Sequence, residues 1–281
     1  MIAYKNNVKT AVLLAALFGL LVWVGSFWGA NGMIVAGSIA LLMNFGAWFF
    51  SDKIAVAAMR GVKVDERSAP GAELHGMVRQ LAKRAKLPMP RVYICPQEAP
   101  NAFATGRNPR HAAVAVTQGA LRLLDREELS GVIAHELSHI KNRDTLTSTI
   151  AATVAGLFSM LAYWGFLFGG MGGGRRGGHP LALLGVVLLG AVGAALIKAM
   201  ISRSREFVAD AEGAQIAGSP HGLVSALRKL DASARRIPMH NPNPAMNNMF
   251  IVEPLVGKTL TSLFASHPPT EKRIAALLTR G

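Results

Sequence analysis

An uncharged, apolar segment from Thr10 to Ser51 is the feature that most restricts how this chain can fold. The segment is too long for one helix across a bilayer, and the sequence GANG at 29–32 interrupts it. Each half holds the roughly 17–20 residues that are needed to cross a hydrocarbon core. The sequence therefore predicts a transmembrane helical hairpin at 1–51, with spans near 11–28 and 33–50.

A cleaved signal peptide is the alternative interpretation of the first apolar run, with Lys5 and Lys9 as its basic end. A signal peptide would end at a small-residue cleavage site, whereas here a second apolar run follows at once. Trp23, Trp28 and Trp48 lie near the ends of the predicted spans, where interfacial aromatic residues are common. These observations favour the hairpin.

A second pair of apolar runs lies at 148–168 and 181–201. The flexible sequence GGMGGGRRGGHP separates them, and the second run is rich in glycine and alanine, which suits helix packing as well as lipid contact. We expect a second transmembrane hairpin over 148–201. Arg175 and Arg176 in its connection leave open a shallow hairpin that does not cross fully.

Basic residues mark the ends of the apolar runs. Four clusters fall on one side of the predicted spans: Lys5 and Lys9; Lys53, Arg60 and Lys63; Lys141 and Arg143; and Arg203 and Arg205. The positive-inside rule makes this side cytoplasmic, so both termini are expected in the cytoplasm. The net charge of +14 and the 51% hydrophobic composition then fit a multi-pass membrane protein. A nucleic-acid binder would instead interleave basic and aromatic residues on one face.

The polar remainder comes in two pieces, 52–147 and 202–281, which we expect to form one cytoplasmic domain. Helical spacing of apolar residues marks Leu74–Ala85, and short strands are predicted in RVYIC, AFATG and AAVAVTQG. Further helices follow in both pieces. The sequence predicts an α+β fold that is mostly helical with a small β-sheet. The single cysteine, Cys95, excludes an intrachain disulfide.

The sequence HELSH contains His135 and His139 four residues apart on a predicted helix, so both imidazoles can bind one metal ion. Glu136, on the neighbouring face, can take a proton from metal-bound water and pass it to a leaving amine. Zinc lowers the pKa of such water to about 7. The motif therefore predicts one zinc ion per chain. The alternative is a solvated helix face that happens to carry two histidines.

A catalytic zinc ion usually has three protein ligands and an open position for water. The sequence SREFVAD offers two candidates, because Glu206 and Asp210 are four residues apart and share a helix face. Either carboxylate could be the third ligand; in one arrangement Glu206 binds the metal while Asp210 holds a ligand histidine in the correct tautomer. The alternative is an exposed acidic face that pairs with Arg203 and Arg205.

Four sequences carry a resemblance to a known family: PNAFATG, HELSHIKNRD, SRSREFVADAEGA and SHPPTEKRI. Together with the two pairs of apolar runs, they make the chain resemble the HtpX heat-shock proteases of bacterial inner membranes, relatives of the CAAX prenyl proteases and the Oma-type peptidases. The resemblance implies a gluzincin (zincin-like) fold and a zinc endopeptidase on the cytoplasmic face of the inner membrane. It also implies a role in quality control, with misfolded membrane and cytosolic polypeptides as substrates.

The resemblance also assigns roles to individual residues. The metal ligands would be His135, His139 and Glu206. Glu136 would be the catalytic residue. His267 and Arg273 match family positions near the metal, where they suit stabilisation of a tetrahedral oxyanion.

Substrate binding is expected beside the metal helix. The gluzincin resemblance suggests that AAVAVTQ is an edge strand, to which a substrate adds through backbone pairing near Val114, Ala115 and Val116. Asn101 would supply a further polar contact. The alternative is an ordinary core strand, since the two valines alternate with alanines.

Three other functions compete with a cytoplasmic-face protease. An intramembrane protease is disfavoured because charged residues flank the metal motif on both sides. A membrane chaperone or scaffold with a non-catalytic zinc site would have lost a ligand or the general base. A nucleic-acid-binding membrane anchor would bind nucleic acid with strong salt dependence, and we expect no such partner.

Overall fold

The computed structural model of the protein describes residues 2–26, 29–67, 69–146, 203–234 and 268–280. The predicted hairpin at 148–201 and the predicted site residue His267 lie outside these ranges. The described helices are α1 (Ile2–Gly25), α2 (Gly29–Phe49), α3 (Ser51–Ala58), α4 (Gly71–Arg84), α5 (Gln118–Leu123), α6 (Arg126–Asn142), α7 (Arg203–Ala217), α8 (His221–Ala234) and α9 (Thr270–Arg280). The described strands are β1 (Val62–Lys63), β2 (Arg91–Cys95), β3 (Ala102–Gly106) and β4 (Ala112–Thr117).

The helices α1 and α2 form an antiparallel pair, each long and apolar enough to cross a membrane. Only 22% and 17% of their apolar windows are buried, whereas a core helix of a soluble protein would be mostly buried. The side chain of Asn44 donates a hydrogen bond to the carbonyl of Leu14 (2.9 Å) and so ties the two helices together. These features fit the predicted N-terminal hairpin.

Helix α1 ends before the GANG sequence at 29–32, where the break was predicted. The hydroxyl of Ser26 donates to the carbonyl of Trp23 (2.6 Å) at the end of α1. Gly29, with a φ of 72°, begins α2, so the GANG residues form the first turn of that helix. The predicted break lies a few residues too late, because the prediction assumed that the glycines themselves interrupt the helix.

The first helix also extends beyond the apolar run, to Ile2, and its first turns contact the rest of the protein. Asn6 is buried, and its side-chain amide donates to the carbonyl of Asn142 at the end of α6 (2.9 Å). The end of the metal-motif helix is therefore held directly against the base of a predicted span.

The end of α2 is attached to the sheet. Arg107, just beyond β3, donates to the carbonyl of Phe49 (2.7 Å), and the hydroxyl of Thr105 donates to the carbonyl of Ser51 (3.2 Å). Asp52, buried at the start of α3, pairs with Arg91 of β2. Both helices of the hairpin thus contact the elements that surround the metal motif.

The sheet has the strand order β1-β2-β4-β3, with β2 and β4 parallel and the other two pairs antiparallel. Every residue of β4 is buried. The expectation that Val114, Ala115 and Val116 lie on an edge strand is therefore wrong, because β2 and β3 pair with this strand on both sides. The edge strand beside α6 is β3, in the register Ala102↔Val116.

The core lies between the sheet and α6, which α4, α7 and α8 cover. Its largest fully buried apolar side chains come from these helices and from β4: Leu74, Val78, Val114, Val116, Ile133, Leu137, Leu223 and Leu227. Full burial of such a side chain contributes roughly 1.5–3 kcal/mol. The described parts are mostly helical with one small mixed sheet, which confirms the predicted α+β class.

Candidate metal centre

The helix that carries the metal motif is fixed at both ends. Asp125 and Glu128 form a reciprocal capping box at its start, in which each side chain accepts the other's backbone N–H. At its other end Arg143 adopts the left-handed conformation (φ 57°), and the chain folds back over the last turn. The motif residues therefore lie on a rigid helix whose direction and length are defined.

Three predicted ligands converge at one point. The Nε2 atoms of His135 and His139 lie 3.0 Å apart. The carboxylate of Glu206, on α7, brings Oε2 to 3.6 Å from Nε2 of His135 and Oε1 to 3.6 Å from Nε2 of His139. The alternative of an exposed acidic face is wrong, because Glu206 and Asp210 are both buried.

These separations fit a tetrahedral zinc ion. Zinc bonds of about 2.0–2.2 Å at the tetrahedral angle place neighbouring ligand atoms about 3.3–3.6 Å apart. The measured separations of 3.0 and 3.6 Å are close to those values. Two imidazole nitrogens and one carboxylate also form a donor set that zinc commonly takes when a fourth position stays open for water. The three residues therefore fit the metal that the sequence predicts.

Each histidine has a carboxylate on its other ring nitrogen. Oδ1 of Asp210 lies 3.0 Å from Nδ1 of His135, and both carboxylate oxygens of Asp144 lie 3.1 Å from Nδ1 of His139. A carboxylate at Nδ1 fixes the tautomer that carries its proton there and leaves Nε2 for a metal. Asp210 was expected in this position, whereas the pairing of Asp144 with His139 was not foreseen.

Arg273 lies beside His135 and pairs with Asp210. Its Nε and Nη2 atoms donate to the two carboxylate oxygens of Asp210 (2.9 and 2.7 Å). The side chain is 1% exposed, and Nη2 is 3.5 Å from Nε2 of His135. This bidentate pairing orients Asp210, and through it His135. Nη2 also lies 3.9 Å from Oε2 of Glu206, so the guanidinium borders the ligand atoms, and its contact with a developing oxyanion stays a prediction.

Glu136 lies beside the ligands and contacts the edge strand. Its Oε2 accepts a hydrogen bond from the backbone N–H of Ala104 in β3 (2.8 Å). The side chain is only 6% exposed. The strand therefore fixes the position of this carboxylate, which comes from the same helix as the two histidines.

The electrostatics of the site favour a cation. Burial opposes the positive charge of His139, but the carboxylates of Asp144, Glu206 and Glu136 outweigh it and raise the pKa to about 10. Burial likewise opposes the charge of His135, yet hydrogen bonds to Asp210 and Glu206 raise its pKa. The carboxylates thus stabilise positive charge on both imidazoles. A divalent cation bound at the same point would displace these protons and be stabilised by the same carboxylates.

Burial raises the pKa of Glu136, and the two nearby imidazoles oppose this shift only in part. Asp210 behaves in the opposite way. Burial works against its charge, but the hydrogen bonds from Arg273 outweigh burial and lower its pKa to about 2. The two carboxyl groups thus differ in chemistry: burial favours the protonated form of Glu136, whereas the pairing with Arg273 favours the ionised form of Asp210.

Asn101 precedes the edge strand and is buried. Its backbone N–H donates to the hydroxyl of Thr117 (2.8 Å), and its carbonyl accepts from the N–H of Thr117 (2.9 Å). These bonds fix the start of β3. The strand Val114–Val116 lies behind β3, and His267 is outside the described residues.

The chain is similar to known proteases over almost its whole length. The model of "Peptidase family M48" matches residues 68–281. A protease HtpX homologue of Desulfatibacillum aliphaticivorans is 52% identical over 279 residues, which are 97% of this chain and 89% of that protein. Homologues from Pyrococcus furiosus (52% identity, 96% of this chain, 94% of that protein) and Nostoc punctiforme (50%, 97% and 96%) match equally well.

Among solved structures, the crystal structure of Ste24p from S. mikatae has a TM-score of 0.52 and 16% sequence identity, and the match covers 98% of this chain and 66% of Ste24p. That similarity concerns the fold alone. The family match and the identities near 50% along almost the entire chain show that this chain belongs to peptidase family M48 and is a membrane metalloprotease.

Proposed function

We propose that the protein is a zinc-dependent endopeptidase that cleaves misfolded or damaged membrane proteins, and cytosolic polypeptides, at the cytoplasmic face of a bacterial inner membrane. The observation that carries this proposal is the convergence of His135, His139 and Glu206 beside a buried Glu136. Their ligand atoms all lie within 4.8 Å of one another. The similarity to HtpX homologues supports the membrane setting.

The two histidines and Glu206 would hold one zinc ion per chain. When bound, zinc supplies a water molecule with a pKa near 7. Asp210 and Asp144 keep the two imidazoles in the tautomer that presents Nε2 to the metal. Arg273 in turn keeps Asp210 ionised and oriented.

Glu136 would act as general base and then as general acid. Burial raises its pKa, which favours uptake of a proton by the carboxylate and its later transfer to the leaving amine. The N–H of Ala104 holds one carboxylate oxygen in place, which leaves the other for the proton. A scaffold with a non-catalytic zinc site would not need a buried carboxylate held beside the metal ligands.

The outer edge of β3 would bind the substrate backbone. Along β3, the backbone groups of every second residue point away from β4. The N–H of Ala104 donates to Glu136, and the carbonyl of Gly106 accepts from the hydroxyl of Thr145 (3.1 Å). The backbone of Ala102 and the carbonyl of Ala104 point in the same direction. An extended peptide added along this edge would pass directly beside Glu136.

Two contacts support a site close to the membrane surface. Asn6 ties the base of α1 to the end of α6, and Arg107 ties the end of α2 to β3. Loops of membrane proteins that emerge from the bilayer would therefore meet the site without leaving the surface. The predicted cytoplasmic orientation follows from the basic residues at the same ends of the helices.

The proposal is tested on full-length protein purified in detergent. We expect about one zinc ion per chain by metal analysis and cleavage of unfolded casein that stops on chelation and returns with zinc. Glu136→Gln should keep the zinc and lose nearly all cleavage, because glutamine preserves the shape but cannot accept the proton. Near wild-type turnover in Glu136→Gln, or a wild-type protein that binds zinc and cleaves nothing, would refute it.

A further inference from the structure

A cluster of aromatic and basic side chains lies where α2 meets the catalytic domain. Trp48, Phe49 and Phe50 end the apolar helix, and all three are at least 36% exposed. Neighbouring rings contact one another: Trp48 and Phe49 are tilted at a centroid distance of 6.3 Å, and Phe49 and Phe50 lie edge to face at 5.0 Å. Exposed aromatic rings at the end of an apolar helix are typical of the membrane–water interface. We call this group, with the basic residues described next, the interfacial patch.

Two basic side chains lie over these rings. The guanidinium of Arg107 is 4.4 Å from the centre of the Phe49 ring and 5.8 Å from that of Trp48. The ammonium group of Lys53 is 5.5 Å from the centre of the Phe50 ring. A cation over an aromatic face is held in place without an anionic partner, so its charge stays available to a further ligand.

The loop that carries Arg107 adds another charge in a defined place. Asn108 accepts the backbone N–H of His111 (3.0 Å) and caps a single 3-10 turn at Pro109–His111. Arg110, in the middle of that turn, is exposed. The loop is therefore held in shape, and it presents a second arginine within three residues of the first.

The patch lacks a compensating acid within the described ranges of the chain. Arg107, Arg110 and Lys53 form no ion pair with any described residue. The nearby acid, Asp52, is buried and already paired with Arg91. Two positive charges thus lie over exposed rings at the end of α2, and a third, on Arg110, is carried by the turn that follows Arg107.

We propose that the interfacial patch binds the headgroups of anionic phospholipids in the surrounding bilayer. The rings would lie at the level of the headgroups, and the three cations would meet the lipid phosphates that face them there. The position of the patch at the end of α2 favours bilayer lipid over a soluble anion. The inference rests on the membrane placement of α2 and not on peptidase activity.

The experiment measures thermal unfolding of full-length protein in a non-ionic detergent, titrated with dioleoyl-phosphatidylglycerol or dioleoyl-phosphatidylcholine. Phosphatidylglycerol should raise Tm in a saturable way, and phosphatidylcholine should not. Arg107 also donates to the carbonyl of Phe49, so the test variant is Lys53→Gln/Arg110→Gln, which removes two charges and no described hydrogen bond. The half-saturating concentration of phosphatidylglycerol should rise about 30-fold in this variant, because two charges near the lipid surface are removed.

The matched control is Lys83→Gln/Arg228→Gln, which removes the same charge from exposed sites on α4 and α8. It should respond to phosphatidylglycerol like the wild type. An equal response to both lipids, or a full response in the test variant, would overturn the proposal. So would an equal rise in Tm with inorganic phosphate alone, because the site would then take free anions. Casein cleavage is not read in this assay, so failure of the proposed peptidase activity would leave its result unchanged.

Discussion

At the scale of single residues, the site separates two carboxylates that sequence alone could not. Glu206 faces the Nε2 atoms of both histidines, whereas Asp210 lies at Nδ1 of His135 and is held by Arg273. Only the first position is compatible with direct metal binding. The assignment of Glu206 as ligand and Asp210 as the orienting carboxylate thus has a distinct geometric basis for each residue.

We predict that Glu206→Gln empties the site at zinc concentrations at which Asp210→Asn still retains metal. The first change removes a charged oxygen donor. The second loosens the orientation of a ligand, for which about 10–100-fold in affinity is expected. Metal analysis of both proteins after identical dialysis against a weak chelator measures the order.

Asp210→Asn also leaves Arg273 buried opposite an uncharged amide, which costs roughly 3–5 kcal/mol when a buried pair is broken. Metal content is therefore expressed per folded molecule, from circular dichroism of the same samples. Earlier loss of zinc from folded Asp210→Asn than from Glu206→Gln would reverse the two roles.

The ligand pattern was predictable from spacing, because positions four apart on a helix share a face. Asp144 was not. It follows the helix end, and only the left-handed turn at Arg143 folds its carboxylate back onto His139. A turn residue other than glycine gives little signal in sequence, so this partner could be found only from the backbone.

At the scale of elements, the packing of α7 on α6 depends on a glycine. A Cβ atom on Gly213 would lie 2.9 Å from the backbone N and Cα of His135. The backbones of α6 and α7 are therefore in close contact at the metal ligand His135. The position of Glu206 relative to His135 is therefore set by this contact.

We predict that Gly213→Ala lowers both stability and zinc affinity. Overpacking typically costs about 1–3 kcal/mol, and a shift of α7 would move Glu206 away from the two histidines. Gly76→Ala is the matched control, because nothing lies within 4 Å of a Cβ there and alanine is the better helix former by up to about 1 kcal/mol. Thermal melts and zinc competition measure both variants; a Gly213→Ala protein as stable as Gly76→Ala would contradict the packing argument.

A second inter-helix contact joins the start of α6 to α8. Glu128, 2% exposed, accepts from the ammonium of Lys229 and the hydroxyl of Ser225 (both 2.6 Å). Burial works against its charge, but these bonds and the capping bond from Asp125 outweigh it and lower the pKa of Glu128. A carboxyl with a lowered folded-state pKa stabilises the fold above its unfolded pKa, and this contribution is lost as the pH falls through the folded value.

We therefore predict that Glu128→Gln lowers Tm at pH 7 and that the difference from wild type shrinks as the pH falls below about 4.3, the ordinary pKa of glutamate. Melts of metal-free protein at a series of pH values measure this difference. A difference that stays constant down to pH 3 would mean that packing, and not charge, accounts for the effect.

At the scale of the whole molecule, the apolar pattern predicted the N-terminal hairpin and its approximate length, whereas the sheet order was beyond it. Both β3 and β4 are short apolar strands, and a buried strand and an edge strand cannot be told apart by alternation when each is covered by a helix. The structure identifies β3 as the edge strand, because β3 pairs with β4 on one side and the N–H of Ala104 donates to Glu136 on the other. Distant pairing is a property of the assembled sheet.

The orientation of the chain in the membrane is the last prediction. Basic residues lie at the base of α1 and after α2, and Asn6 at the base of α1 contacts the metal helix. By the positive-inside rule we predict that residues near Gly61 lie in the cytoplasm and that the connection after Ser26 lies outside it. Alkaline phosphatase needs disulfides that form only in the oxidising periplasm, whereas green fluorescent protein reports the cytoplasm. In a bacterial host, phosphatase fused after Ser26 should be active and phosphatase fused after Gly61 inactive, with the fluorescent fusions giving the opposite pattern. A fluorescent fusion at the C-terminus should fluoresce if the segment 148–201 crosses the membrane twice or not at all. An active phosphatase at the C-terminus would mean that this segment crosses once. The two polar pieces that hold His135 and Glu206 would then lie on opposite sides of the membrane, which would contradict a shared metal site.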